Sequence, residues 1–442
     1  MIFCRIILNI ILKPMNMKNT LIDCEQYILK SYLKTTSKIL FFLLLAYLVL
    51  MVLTMLIPNS LVTSNVTSGV KFINAEGLYP EVLRTISQPS SMLDNFTDRL
   101  MLEKTIKISS NPLISAMSVS HYERYWHGYL IFLRPLLAIF QYATIRYLNM
   151  FGTLLIFSLA FHQIASKINK KIAVIYAIST VNISFFSIFL SLQFSSVFYV
   201  LNIAIIILLH VPAQSHKYVY YFFLIGSLVN FFDLLTYPLI TLGIPLVTVI
   251  LYTNMYQVHS PNQNLVTVLW LSTNWAIGYA VTWVSKWCLA TLILRKNIIK
   301  NALNQVIFRA GANSSAEPIN IDNPKISHSL MYKDNFDLLF NNIFLKLLLF
   351  ALIIWILSTI FMPPTIEKIK QFYPILIVSL FPYIWFYVLS NHSQVHFWMT
   401  YRIQAITVFA VLAYFVNIIT PSKRFHKLRH FLKTKKNEIH NK

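Results

Sequence analysis

Residues 121 to 135 read HYERYWHGYLIFLRP, so His121, Glu123, Arg124, His127 and Arg134 stand among Tyr122, Tyr125, Trp126 and Tyr129. Arginine and histidine together suit a phosphate or pyrophosphate, because the guanidinium is a permanently charged fork of donors and imidazole adds another. On a helix the five polar side chains fall within an arc of about 160 degrees, with the rings on the other side. That pattern predicts an interfacial helix, rings at headgroup level and cations toward water. A plain anchoring helix with snorkelling charges fits the same arc, although two histidines and a glutamate add nothing to anchoring.

Three other stretches carry chemistry. SMLDNFTDRLMLEKT offers Asp94, Asp98 and Glu103. A carboxylate outside the bilayer can take a proton from a sugar hydroxyl as it attacks an anomeric carbon, while Asn95, Thr97 and Asp98 are equally ordinary capping residues. FFDLLTYPLITLGIP sets Asp233 near a helix end ahead of Pro238 and Pro245. A charge at that depth and a helix broken by proline both belong beside a cavity, and a turn in which Thr236 satisfies Asp233 is the structural alternative. NHSQVHFWMTYR spaces His392 and His396 at i and i+4, which a divalent metal could use, yet no third ligand stands nearby and no HExxH glutamate is present. His396, Tyr401 and Arg402 fit better as binders of oxyanions in the cavity that His121 and Asp233 would also line. No metal and no cofactor are expected beyond that weak divalent pair. In GYAVTWVSKWCLA, aromatic-belt anchoring accounts for Trp283 and Trp287, and Lys286 between them is a candidate contact for a lipid phosphate.

The elements that must position these residues are membrane helices. Of 442 residues, 57% are hydrophobic and only 12% charged, and apolar runs of bilayer length recur. Spans are expected near 39–57, 144–166, 171–190, 194–211, 218–235, 237–253, 265–285, 343–362, 373–390 and 402–420, which makes an all-α polytopic bundle of about ten helices. The net charge of +22 would suggest nucleic acid in a soluble chain. Here it reads as positive-inside topology, and no nucleic-acid partner is expected. Residues 1–38 hold six Lys or Arg and the tail 421–442 holds eight, so both are expected in the cytoplasm, flanking a membrane domain at 39–420. The basic segments 166–171, 215–218 and 367–371 then also fall inside. Residues 58–143 become a large extracytoplasmic loop, and 286–342 a second one whose seven Lys and Arg run against the rule. RKNIIKNALNQVIF in that loop reads as a basic amphipathic helix on the outer surface.

With glycine at 8 residues and neither a P-loop nor GxGxxG, ATP-driven chemistry is not indicated. Cys4, Cys24 and Cys288 have no metal spacing and imply no disulfide framework. The run IFCRIILNIIL is too short to span and has no cleavage site, and Met15 is an equally natural start.

The layout resembles the GT-C class of polytopic glycosyltransferases, in which a cytoplasmic N-terminus and one span precede a large outer loop bearing a catalytic acid. TDRLMLEKT, RYWHGYLIFLRPLL, YATIRYLN, FDLLTYPLITLGIPL, GYAVTWVSKW and NHSQVHFWMTYR further resemble a group of little-characterised bacterial envelope proteins, and more distantly the serotype-converting O-antigen glucosyltransferases. The likeness covers most of residues 40–410. It implies an enzyme of the cytoplasmic membrane with its active face outside, embedded in the lipid bilayer. Its donor would be a polyprenyl-phosphate-linked sugar and its acceptor a cell-envelope glycan or lipid-linked saccharide. It also implies Asp98 as base, with Asp94, Glu103 and Glu123 as alternatives because the usual acid pair is absent. Arg124, His127, Arg134, Lys286, His396 and Arg402 would hold the donor phosphate. Export, flipping or polymerisation of a lipid-linked saccharide would use the same cations.

Overall fold

The computed structural model describes residues 18–82, 89–118, 122–311, 326–340, 350, 353–355, 357–359 and 363–419, with side chains from residue 29 onward. His121, the basic tail and most of the expected span at 343–362 lie outside the described residues. Within them the chain is helical, and its only β pairing consists of two isolated bridges, Glu81 with Met92 and Pro364 with Ile419.

Nineteen helices carry the description: α1 Lys18–Leu56, α2 Asn59–Glu76, α3 Asn95–Glu103, α4 Pro112–Met117, α5 Leu130–Leu137, α6 Tyr142–Lys167, α7 Lys170–Val181, α8 Phe185–Leu190, α9 Leu192–Leu208, α10 Tyr218–Phe232, α11 Ile240–Tyr256, α12 Pro261–Leu294, α13 Ile298–Arg309, α14 His328–Leu339, α15 Ile366–Val378, α16 Phe381–Val388, α17 Ser390–Val395, α18 Phe397–Thr400 and α19 Ala405–Ile418. Among the described residues, five segments are long and apolar enough to cross a membrane: Leu29–Leu56, Tyr142–Lys167, Pro261–Leu294, Ile366–Val388 and Phe397–Ile418. Three further apolar helices, α9, α10 and α11, are shorter. The run expected to span at 171–190 is divided into α7 and α8: the first ends at Val181, and Ser184, at φ 58, takes the N-cap position of the second. The helix expected to stop at 285 continues to Leu294, so Lys286 belongs to a helix interior rather than to the following loop. Pro245 lies inside α11, which passes through it without ending.

Local signals explain several starts. Ser260 accepts from the Gln263 amide while the Gln263 side chain accepts from the Ser260 amide, and Pro261 follows at the first helical position, so α12 opens on a complete capping box. α10 and α12 cross at two glycines. A Cβ at Gly226 would meet the Trp275 carbonyl at 2.1 Å, and one at Gly278 would meet the Phe223 carbonyl at 2.1 Å. Backbones approach this closely only where side chains are missing. Gly278→Ala is therefore expected to destabilise the protein by roughly 1–3 kcal/mol, visible as a lower melting temperature in detergent.

The largest departure from the sequence pattern concerns residues 121–135. Only Leu130 onward is helical; residues 122–129 form turns, with His127 at φ 58. The rings point inward instead of lying at headgroup level: Tyr125, Trp126 and Tyr129 are buried, and Tyr47 stacks on Phe231 at 3.9 Å beside Trp126. Arg124, His127 and Arg134 are buried too, so the expected wet face does not form. The physical reason is a wedge. Trp283 and Trp287 both donate to the Arg124 carbonyl, Trp126 donates to the Thr282 carbonyl, and the Gly128 amide donates to the Phe231 carbonyl. These bonds lock the segment between the ends of α10 and α12.

Candidate functional site

The polar residues gather at one end of the helical body, where the last turns of α1, α10 and α12 meet the first turns of α6 and α9. Arg134 donates to the Ile57 carbonyl beyond α1, Asp98 accepts from the start of α9, and Tyr401 donates to the Ser90 carbonyl. Four clusters result.

Asp98 sits on α3 with no exposed surface, and its carboxylate accepts four bonds: Tyr142 Oη at 2.9 Å, Leu192 N at 3.0 Å, Gln193 N at 2.9 Å and Ser191 Oγ at 3.2 Å. Two of these are the otherwise unpaired first amides of α9, so Asp98 caps that helix from another segment and meets its positive end. Burial raises its carboxyl above the ordinary range, while Arg146 and the Gln193, Leu192 and Tyr142 donors oppose the rise. Arg146 in turn grips Glu76 at 2.7 and 2.8 Å and donates to Asn95 and Tyr142. No lone pair of Asp98 is left for a substrate hydroxyl.

Asp94 differs. It caps α3, and among the described residues its carboxylate accepts only from Thr97, at 3.0 Å from the backbone amide and also from the hydroxyl. Burial raises the carboxyl to about 6; the Asp98 charge adds to the rise, and Thr97 and Arg402 oppose it. Because this folded value lies above the ordinary one of 3.8, the contribution to stability is full below about pH 4 and is lost as pH rises through 6. The acid is thus poised to exchange a proton near neutrality.

Arg402 faces it. The guanidinium is fully buried, donates to the Trp398 carbonyl at 2.8 Å and the Ser90 carbonyl at 3.2 Å, and lies 4.2 Å above the Phe194 ring on the first turn of α9. Its Nε has no hydrogen-bond partner. Among the described residues the ion pairs are Arg99–Glu103 and Arg146–Glu76, so Arg402 has no carboxylate within 4 Å although its field reaches Asp94. An acid and a cation therefore stand near each other with a gap wider than an ion pair. Burying a cation without an answering charge is costly, and an anionic ligand removes that cost.

His127 is held neutral. Its Nε2 donates to the Tyr122 carbonyl at 2.9 Å, so Nδ1 accepts from Tyr129 Oη at 3.0 Å, and burial lowers the ring to about 3. Its contribution to stability is present above about pH 6.5 and declines as pH falls toward 3. Lys286 donates to the Met117 carbonyl at 3.2 Å and lies 5.6 Å from the Trp126 ring. Arg124 stacks on Tyr122 and Tyr125. Glu123 is half-buried and within electrostatic reach of Lys104 and Lys286.

No family model, curated protein or solved structure matches this chain.

The remaining sequence candidates fall elsewhere. Glu103 pairs with Arg99 at 2.9 Å on the surface. Arg134 ties the α1–α2 junction through Ile57 and Asn59. Asp233 is satisfied within its own turn by Thr236, as the structural alternative anticipated, and the turn places Leu235 at φ 70. His392 has both ring nitrogens committed, Nε2 to the Leu235 carbonyl at 2.9 Å and Nδ1 to Arg309 at 2.6 Å, so the pair His392 and His396 is not arranged as a metal clamp. Tyr401 is buried beside Arg402. The structure thus unites Asp94, Asp98, Tyr401 and Arg402, and places Arg124, His127 and Lys286 in a neighbouring wedge. Sequence reasoning missed Tyr142, Arg146 and Ser191 as partners of Asp98, and counted Arg309 only as a misplaced loop charge.

Beside this end opens an apolar groove of about 560 Å³, lined among others by Met101, Tyr129, Leu192, Tyr199, Ile207 and Leu208. From Leu192 to Leu208 it follows α9 for roughly 24 Å at 1.5 Å per residue. At its polar end the Leu192 amide bonds Asp98 and the Tyr129 hydroxyl bonds His127.

Proposed function

We propose that the protein is a membrane glycosyltransferase that moves a sugar from a polyprenyl-phosphate donor to a cell-envelope glycan or lipid-linked acceptor, on the extracytoplasmic face of a ten-span, GT-C-like bundle. The observations that carry this reading are the pairing of Asp94, raised to about 6, with the buried Arg402, and an apolar groove along α9 long enough for a hydrocarbon chain.

In this reading the acceptor hydroxyl oxygen attacks the anomeric carbon from the face opposite the phosphate, and its proton passes to an Asp94 oxygen. The carbon–oxygen bond to phosphate breaks, the electron pair stays on the phosphate oxygen, and polyprenyl phosphate leaves. Arg402 offsets the charge that grows there, a stabilisation realised mainly in the transition state. Asp98 is a positioning residue, holding α9 and thereby Phe194 and the head of the groove. Inversion at the anomeric carbon follows from the single displacement.

Two outcomes test the reading. A base of pKa about 6 works only when ionised, so transfer should be constant above about pH 7 and fall about tenfold per unit below 6. An acid limb that persists unchanged in Asp94→Glu would assign it to another group. Ile203→Trp, which fills the middle of the groove, is expected to raise the KM for a long-chain donor at least tenfold while leaving a short-chain analogue nearly unaffected. Equal KM changes for both chain lengths would remove the tail from the groove.

A further inference from the structure

Arg309 at the end of α13 reaches across to α17, where its Nη1 donates to His392 Nδ1 at 2.6 Å and Ser390 donates to the neighbouring Ala310 carbonyl at 3.2 Å. His392 accepts as a neutral ring, since its other nitrogen donates to the Leu235 carbonyl. The guanidinium charge is therefore unanswered: Nε is buried without a partner, and no carboxylate lies within 4 Å among the described residues. One helical turn beyond His392 stands His396, half-buried, its ring 5.0 Å from that of His392 and its nitrogens making no hydrogen bond among the described residues. Docking α13 explains the bond to His392, but it leaves both the Nε and the His396 donor unused.

This group is separate from Arg402. The field of Arg309 acts on His392, His396 and Tyr279, whereas that of Arg402 acts on Asp94, Tyr237 and Tyr401. Between them stands Trp398, whose ring lies 6.5 Å from His396 and whose carbonyl is bonded by Arg402.

We propose that Arg309 and His396, with His392 as the support that aims Arg309, bind the phosphate of a second lipid, the acceptor, so that transfer joins two lipid-linked substrates. The inference rests on the glycosyltransferase reading and narrows its acceptor to a polyprenyl-phosphate-linked lipid, as distinct from a bilayer phospholipid. A guanidinium fork and an imidazole donor suit a phosphate ester at a membrane surface, and two such sites on either side of Trp398 let donor and acceptor be held together.

The test is native mass spectrometry of the purified full chain in detergent with polyprenyl phosphate as probe, run in parallel with phosphatidylglycerol. Two polyprenyl phosphates should bind the wild type, one each Arg309→Gln and Arg402→Gln, and none the double variant, with at least tenfold weaker binding at the altered site. Arg309→Lys should keep two, and phosphatidylglycerol should leave the Arg309 site empty. Should Arg309→Gln fail to fold, His396→Gln is expected to lose the same second lipid. A single lipid in the wild type, lost only with Arg402→Gln, overturns the acceptor site and leaves the donor reading standing. Equal occupancy of the Arg309 site by phosphatidylglycerol overturns it as well. No bound lipid phosphate at all overturns both.

Discussion

Asp94→Asn is expected to lower the rate of sugar transfer by about 10²- to 10⁴-fold while the protein folds and binds donor normally. The amide keeps the shape and can still accept from the Thr97 amide, so α3 retains its cap and little stability is lost. What disappears is the lone pair that takes the acceptor proton. Donor affinity should hardly change, because Arg402 contacts Trp398, Ser90 and Phe194 rather than Asp94 directly. Turnover by purified protein beside donor binding measures both quantities, and an Asp94→Asn enzyme with full turnover would exclude the residue as base.

The second large effect is on stability. Asp98→Ala should destabilise the protein by about 3–5 kcal/mol, since it strips four donors of their acceptor and leaves the first two amides of α9 buried and unpaired. Tyr142 and Arg146 lose a partner in the same step, and their links to Asn95 and Glu76 loosen α2, α3 and α6 together. Asp98→Asn should cost less, because one amide oxygen still accepts from α9. Folded yield and melting temperature in detergent report the effect. A fully stable Asp98→Ala protein that has lost activity would reverse the roles given to the two acids.

Those roles show where sequence reasoning stopped. That DNFTD begins a helix is legible locally, but the cap is Asp94 rather than the Asn95, Thr97 or Asp98 that the local pattern offers. That Asp98 is consumed by Ser191, 93 residues away, is set by tertiary packing and leaves no local trace. The arc of polar residues is a sound periodicity, but residues 122–129 have no helix beneath them, because Gly128 and the two indole bonds to Arg124 favour turns over a surface helix. Asp233 was legible to the level of its partner, Thr236, since an aspartate three residues before a threonine closes a turn by itself. The membrane class was plain from composition, and the five long apolar helices carry it. The interruption at Ser184 was not, for an unbroken apolar run gives no warning of a left-handed residue inside it.

The most direct measurement places purified protein in liposomes with polyprenyl-phosphate sugars and a lipid-linked acceptor, and follows the lipid carrier. Sugar transfer should release free polyprenyl phosphate in proportion to product, and Asp94→Asn should abolish both. Movement of intact donor across the bilayer, with no free polyprenyl phosphate and no dependence on Asp94, would show a transporter and contradict the account.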